Sequence, residues 1–161
     1  MDIKLHEDAL DAADLRILHR LQQDGRVSNL DLAVAVGLSA AQSHRRHRRL
    51  EERGYIRRYE ARLDPVRLGL GVMAYVHVTM ERGHIRDVEK FRELVRAMEQ
   101  VQECYAVTGD FDYVLKVVAQ DLRALSDFLL RALGQLPGVN GVRSSVCLDE
   151  VKHTGALPLG A

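Results

Sequence analysis

No stretch of residues free of Asp, Glu, Lys and Arg in this sequence exceeds 13, a length reached only at residues 32–44 and 68–80. Both are too short to span a bilayer. Cysteine is scarce: Cys104 and Cys147 lie far apart, without CxxC spacing. Neither a disulfide framework nor a cysteine metal cage is expected, and the setting is expected to be reducing and cytoplasmic. The first ten residues carry Asp2, Glu7 and Asp8 and no apolar core segment, so no secretory leader is expected. GxSxG, P-loop and HExxH patterns are absent. A surplus of one charge is missing too: 23 basic side chains face 23 acidic ones. Taken whole, that balance argues against a nucleic-acid binder.

What is present is an ordinary globular composition, 47% apolar and 29% charged over 161 residues. That excludes general disorder and allows one domain or two small ones, with no need of a disulfide. The charge is unevenly placed. Residues 1–40 carry a net −3, residues 41–62 a net +5 with eight arginines, and residues 63–161 a net −2. The centre of the basic stretch reads His44-Arg45-Arg46-His47-Arg48-Arg49. Such a run is a solvated helix face or a nucleic-acid surface. Its lack of Lys brings the second level with the first, because the Arg fork suits phosphate oxygens and guanine edges.

Helix punctuation fills the first sixty residues. Asp11 can cap a helix with Leu15, Ile17, Leu18 and Leu21 at near-helical spacing, ended by Asp24-Gly25. Ser28-Asn29-Leu30-Asp31 reads as a capping box opening a short helix that Gly37 stops. Ser39 caps a third helix, which carries the arginines, buries Leu50 and ends at Gly54. Two helices joined by a short Gly-containing turn, the second basic, describe a helix-turn-helix. Residues 55–63, rich in aromatic and β-branched side chains and Arg, read as a strand pair, or wing. Asp64-Pro65 breaks it, and residues 64–71 form a linker.

The rhythm then changes. Strands are expected at 72–81, 101–108, 112–119 and 140–150, with helices at 84–100 and from Asp121 to Leu133. The order β-α-β-β-α-β is the ferredoxin-like plan, with both helices on one face of an antiparallel sheet. The fold class is therefore α+β: a winged helix-turn-helix over 1–63, a linker, and a ferredoxin-like domain over 72–161. The sheet's other face keeps apolar side chains. Leaving it in water would expose several hundred Å2, so a second copy of the chain is expected to cover it.

If Ser43, His47 and Leu50 line the inner side of the basic helix, its N-terminal half meets bases through Gln42, His44, Arg45 and Arg46. Gln suits adenine and Arg guanine. Arg48, Arg49, Arg57 and Arg58 are assigned to phosphates, and Ser28 and Ser39 to helix N-termini offered to phosphate. The competing reading for any one Arg is an ion pair with Glu51, Glu52 or an acid of residues 1–31. Thr108-Gly109-Asp110-Phe111-Asp112 is either a plain hairpin turn or a loop whose Gly109 amides and Asp110 and Asp112 carboxylates grip an α-amino acid. The seven histidines show no ligand spacing: His44 and His47 lie three apart inside a cation-repelling run, and no metal or cofactor is expected.

These segments, in this order, resemble the Lrp/AsnC family of transcription regulators over nearly the whole chain. The resemblance rests on Leu10-Asp11-Ala12-Ala13-Asp14-Leu15-Arg16-Ile17-Leu18, Asp24-Gly25-Arg26-Val27-Ser28-Asn29 and Val36-Gly37-Leu38-Ser39. It continues through Arg49-Leu50-Glu51-Glu52-Arg53-Gly54-Tyr55-Ile56, Leu63-Asp64-Pro65 and Glu103-Cys104-Tyr105-Ala106-Val107-Thr108-Gly109-Asp110-Phe111-Asp112-Tyr113. Leu136-Pro137-Gly138-Val139 and Glu150-Val151-Lys152 complete it. Two positions depart: His47 stands where the family often has an aliphatic residue, and Ala40 where it usually has Pro.

The resemblance implies a non-enzymatic regulator that binds duplex DNA. It implies an amino-acid effector held between neighbouring subunits near Thr108–Asp112, with Leu122, Ser145 and Cys147 completing the pocket. It also implies a homodimer and a higher assembly such as an octamer. A second reading is a small-molecule sensor or enzyme whose N-terminal unit serves only protein contacts. Salt-dependent binding to duplex DNA separates the two. The strands lack the aromatic pattern that stacks bases, which disfavours an RNA binder.

Overall fold

The computed structural model describes residues 9–81 and 85–159. The chain forms two compact units. The first joins Met1–Arg62 to the C-terminal segment Lys152–Ala161, and the second spans Leu63–Val151.

In the first unit α1 (Ala12–Gln23), α2 (Asn29–Val36) and α3 (Ala40–Glu52) start at the expected caps Asp11, Ser28 and Ser39. Gly37 and Gly54 stop α2 and α3 in the left-handed region, at φ 69° and 74°. Ile17, Leu21, Leu32, Val36 and Leu50 make the core. The Ser28 cap differs from the expected box: the Asp31 carboxylate takes the Ser28 hydroxyl hydrogen at 2.6 Å instead of the Ser28 backbone N–H.

The strand pair expected over residues 55–63 does not form: no strand occurs among the described residues between Gly54 and Val72. A lone nine-residue run has no second strand to pair with, and a ladder needs two. Tyr59 instead turns back onto α3. The tail from Lys152 was expected with the second domain but packs in the first unit. There the Gln22 amide accepts from the Leu157 N–H at 2.6 Å and donates to its carbonyl at 3.2 Å.

The second unit has the order β1 (Val72–Met80), α4 (Ile85–Arg96), β2 (Val101–Ala106), β3 (Tyr113–Ala119), α5 (Leu122–Asp127) and β4 (Val139–Val146). The antiparallel sheet runs β2-β3-β1-β4, the expected ferredoxin-like arrangement. The alternation of β1 sends Ala74, Val76 and Val78 to the helical side, where Phe91 and Val95 of α4 and Leu125 of α5 cover them. After Asp127 the expected single helix widens into a π-type turn, Phe128–Ala132, and tightens over Leu133–Gln135. This change of winding keeps both Phe128 and Leu133 in the core. His84, the expected start of the fourth helix, lies outside the described residues. No helix among the described residues is long and apolar enough to cross a membrane.

The other sheet face keeps Tyr75 at 44% exposure and Tyr105 at 58%. They flank Lys116 and Val114 of β3, so aromatic rings lie open on the uncovered side.

Candidate nucleic-acid interface and effector loop

Helix α3 carries the basic run, and its caps set how far its side chains can reach. Ser39 and Gln42 complete a capping box: the Ser39 hydroxyl accepts from the Gln42 N–H, and the Gln42 Oε1 accepts from the Ser39 N–H, each at 3.3 Å. The first turn of α3 holds no acid, so its N-terminus stays available to a phosphate. The Ser28 end of α2 does not, because Asp31 sits there bonded to the serine. This corrects the assignment of Ser28. Gln42 is exposed, but its oxygen is already bonded. The paired acceptor and donor expected for adenine are not free in this conformation.

His44 and Arg45 are exposed, and neither side chain has an ion pair or hydrogen bond among the described residues. Arg48 points outward and pairs with Glu52 one turn on, at 2.8 Å. Both members are mostly in water, so that pair is weak enough for a phosphate to displace. Arg57 is exposed and forms no ion pair among the described residues, whereas Arg58 pairs with Glu60.

Arg46 and Arg49 behave differently. Arg46 Nη1 lies 2.7 Å from Asp11 Oδ2 and 2.9 Å from Asp14 Oδ1. Arg49 Nη2 lies 2.6 Å from Asp14 Oδ2. Asp14 is only 1% exposed. The assignments of Arg46 to bases and Arg49 to phosphate are therefore corrected: a buried acid from α1 draws both inward, and a desolvated carboxylate needs such partners. Bonds from the Asp14 backbone N–H and the Arg46 guanidinium hold the Asp11 carboxyl below the usual aspartate range. Hydrogen bonds to the Asp11 and then the Asp14 carboxylates raise Arg46.

His47, on the inner side, finds the partner that a half-buried imidazole requires. Its Nε2 lies 2.5 Å from Tyr59 Oη, and the Tyr59 hydroxyl donates to Glu51 at 3.0 Å. The one tyrosine hydrogen is thereby committed, so His47 Nε2 is the donor in the first bond. Burial, then Glu51, pushes the Tyr59 phenol up to about 12. This contact holds the segment after α3 against the helix.

In the second unit the 107–112 loop opens between β2 and β3, with Gly109 at φ 114°. Asp112 caps the end of β1: its carboxylate accepts from the Met80 N–H at 2.7 Å, and its own N–H donates to the Val78 carbonyl at 2.9 Å. Asp112 is thus a latch for the loop through one carboxylate oxygen, and its side chain stays exposed. Thr108, Gly109 and Asp110 are exposed.

Phe111 folds over the open sheet face, with its ring 4.7 Å from that of His77 and the Arg143 guanidinium 5.5 Å from its centroid. The sequence reading missed His77 and Arg143. Their signal was the strand alternation, which puts both opposite the inward Val76, Val78 and Val142. His77 Nδ1 is buried with no hydrogen-bond partner among the described residues. Ser145 faces the same side as Tyr75, its partner in register. Leu122 does not join them. It follows the end of β3 on the helical side, roughly 20 Å along the strand from the loop. Within the chain Leu122 and Thr108–Asp112 do not meet, and Cys147, expected beside Ser145, is only half-buried at the end of β4. No group of His, Cys, Asp or Glu that could hold a metal occurs among the described residues.

Comparison with known proteins places both units. The profile described as winged helix-turn-helix DNA-binding matches residues 10–57. That described as the Lrp/AsnC ligand binding domain matches residues 73–157. The leucine-responsive regulatory protein of Haemophilus influenzae is 42% identical over 156 residues, covering 97% of this chain and 94% of that protein. Its namesake from Escherichia coli K12 is 43% identical over 148 residues, covering 92% and 90%. Among solved structures, a transcriptional regulator of Neisseria meningitidis in complex with L-methionine superposes with TM-score 0.92 at 38% identity, over 94% of this chain and 98% of that one. A feast or famine regulatory protein of M. tuberculosis complexed with L-methionine gives TM-score 0.85 at 33% identity, over 92% and 99%.

Proposed function

The chain belongs to the Lrp/AsnC family of transcription regulators, and from that footing we propose how its own residues bind DNA and sense an effector. It is a DNA-binding regulator and not an enzyme. In our reading α3 enters the major groove, with Arg45 and His44 reading bases and Gln42 adding its amide N–H. Arg48, Arg57 and the Ser39 end of the helix contact phosphates.

The observation that carries this reading is Arg45, exposed and without a carboxylate partner among the described residues, whereas Arg46 and Arg49 each have one. Arg45→Ala should cost about 1–3 kcal/mol on a preferred duplex and much less on random DNA. Arg48→Ala should weaken both alike and flatten the dependence of affinity on salt. Equal losses on the two duplexes for Arg45→Ala would remove Arg45 from base reading.

The effector is proposed to be an amino acid at the 108–112 loop. Asp110 supplies a carboxylate for the ammonium end and the Gly109 turn supplies backbone amides for the carboxylate end. Two solved relatives hold L-methionine. A thermal-shift screen of the twenty amino acids tests this, since a ligand at 100 times its dissociation constant adds about 2.7 kcal/mol of stability. Asp110→Ala should abolish the shift. No shift with any amino acid would leave a regulator without such an effector.

The open sheet face is proposed to pair with that of a second copy, giving a dimer that higher assemblies such as an octamer could build on. A second cation placed opposite Lys116, the register partner of Tyr75, would be buried unpaired in that interface. Tyr75→Lys should therefore convert the dimer to monomer in sedimentation, and an unchanged mass would exclude this face as the interface.

A further inference from the structure

We propose that Asp14 is a positioning residue for DNA recognition: by clamping Arg46 and Arg49 it fixes the rotation of α3 about its own axis. This rests on the reading of α3 as the recognition helix. The need for a clamp follows from the inner side of α3. Of its three inward positions only Leu50 is a large apolar residue; the others are Ser43 and His47. Apolar contact is non-directional, and so little of it leaves axial rotation poorly specified. Charged hydrogen bonds are short and directional.

The clamp comes from the start of α1. Asp11 and Asp14 form the capping box of that helix: the Asp14 N–H donates to Asp11 Oδ1 at 2.8 Å, and the Asp11 N–H donates to Asp14 Oδ2 at 3.3 Å. Three outer oxygen contacts of this box then fall on α3: Arg46 to Asp11 Oδ2 and to Asp14 Oδ1, and Arg49 to Asp14 Oδ2, the oxygen that also accepts from the Asp11 N–H. Arg46 and Arg49 are three residues apart, on one flank of α3. Holding that flank against α1 turns Arg45 and Arg48 outward and leaves His44 on the opposite flank. The same bonds remove two of the eight arginines of residues 41–62 from contact with phosphate.

The test uses the full-length protein, a duplex selected by it from a random pool, and a random-sequence duplex of equal length, titrated over salt. Asp14→Asn keeps the shape and loses the charge. It should lower the ratio of selected to random affinity and steepen the salt slope by about 0.9 or more, the value of one released arginine reaching phosphate. A merely structural acid would weaken both duplexes alike with the slope unchanged, and that result overturns the proposal.

Arg46→Gln serves as the second variant, and carries the test if Asp14→Asn does not fold by circular dichroism. It should lower discrimination with no change in slope, because Arg46 does not contact phosphate. A slope flattened by about 0.9, or full discrimination retained, overturns the proposal. Failure of the wild type itself to bind either duplex would sink the recognition-helix reading and the clamp with it. Discrimination intact in both variants would sink only the clamp.

Discussion

Replacing Asp14 with alanine is expected to lower the stability of the first unit by about 3 kcal/mol, the lower end of the cost of breaking a buried ion pair. Asp14 is 1% exposed and receives both Arg46 and Arg49. Its removal leaves two cations that are 24% and 43% exposed, so they can turn to water, which keeps the loss from the upper end. The alanine also removes half of the α1 capping box. Denaturant unfolding followed by far-UV circular dichroism checks this as a lower midpoint for one of two transitions, one expected for each compact unit. A loss under 1 kcal/mol would mean that the arginines contribute no more than surface pairs do.

Acid should weaken the neighbouring Asp11–Arg46 contact. The folded Asp11 carboxyl is held below its ordinary value of 3.8, by the Asp14 N–H first and Arg46 next. A lowered folded value means stability that is complete above the ordinary value and lost as pH falls through the lowered one. The gap between wild type and Arg46→Gln should therefore narrow only in strong acid.

Phe91→Ala should destabilise the second unit by about 3–5 kcal/mol, the cost of a large buried aromatic replaced by alanine. Phe91 is fully buried on α4 and lies 4.8 Å from the Tyr113 ring on β3. The Arg92 guanidinium donates to the Tyr113 hydroxyl at 2.9 Å, so the ring cannot easily move to fill the space. The loss should fall on the transition that Asp14→Ala leaves alone. A shared shift of both transitions would instead show that the two units unfold together.

Much of the fold was legible because its signals are local. Asp11, Ser28 and Ser39 cap helices through side chains that reach three residues ahead, and Gly37 and Gly54 stop them by adopting positive φ. Alternation in β1 separates Val76 and Val78 from Tyr75 and His77 without reference to any distant residue. The strand pair at residues 55–63 was over-read for the same reason. The composition of residues 55–63 suits a strand, but a strand exists only with a partner, and Tyr59 is taken by His47 and Glu51.

The candidate site was legible as a list of residue types and less so as roles. Arg45 and Arg46 are adjacent and chemically identical, yet one is open and the other is held by Asp14, 32 residues earlier. Asp110 and Asp112 look alike in the loop, yet Asp112 is bonded to the Met80 backbone. Leu122 is near the loop in number and far from it in space, because β3 runs between them.

The sequence by itself determined the element order, the caps, the inward face of each strand and the confinement of net positive charge to residues 41–62. Each depends on neighbours within a few positions, or on simple periodicity. Only the tertiary structure decided which charges in that stretch stay open, which loop acid is a latch, that Phe111 covers His77, and that the tail from Lys152 lies with the first unit. Those outcomes depend on which distant groups are brought within hydrogen-bond reach when water is excluded, and packing alone sets that.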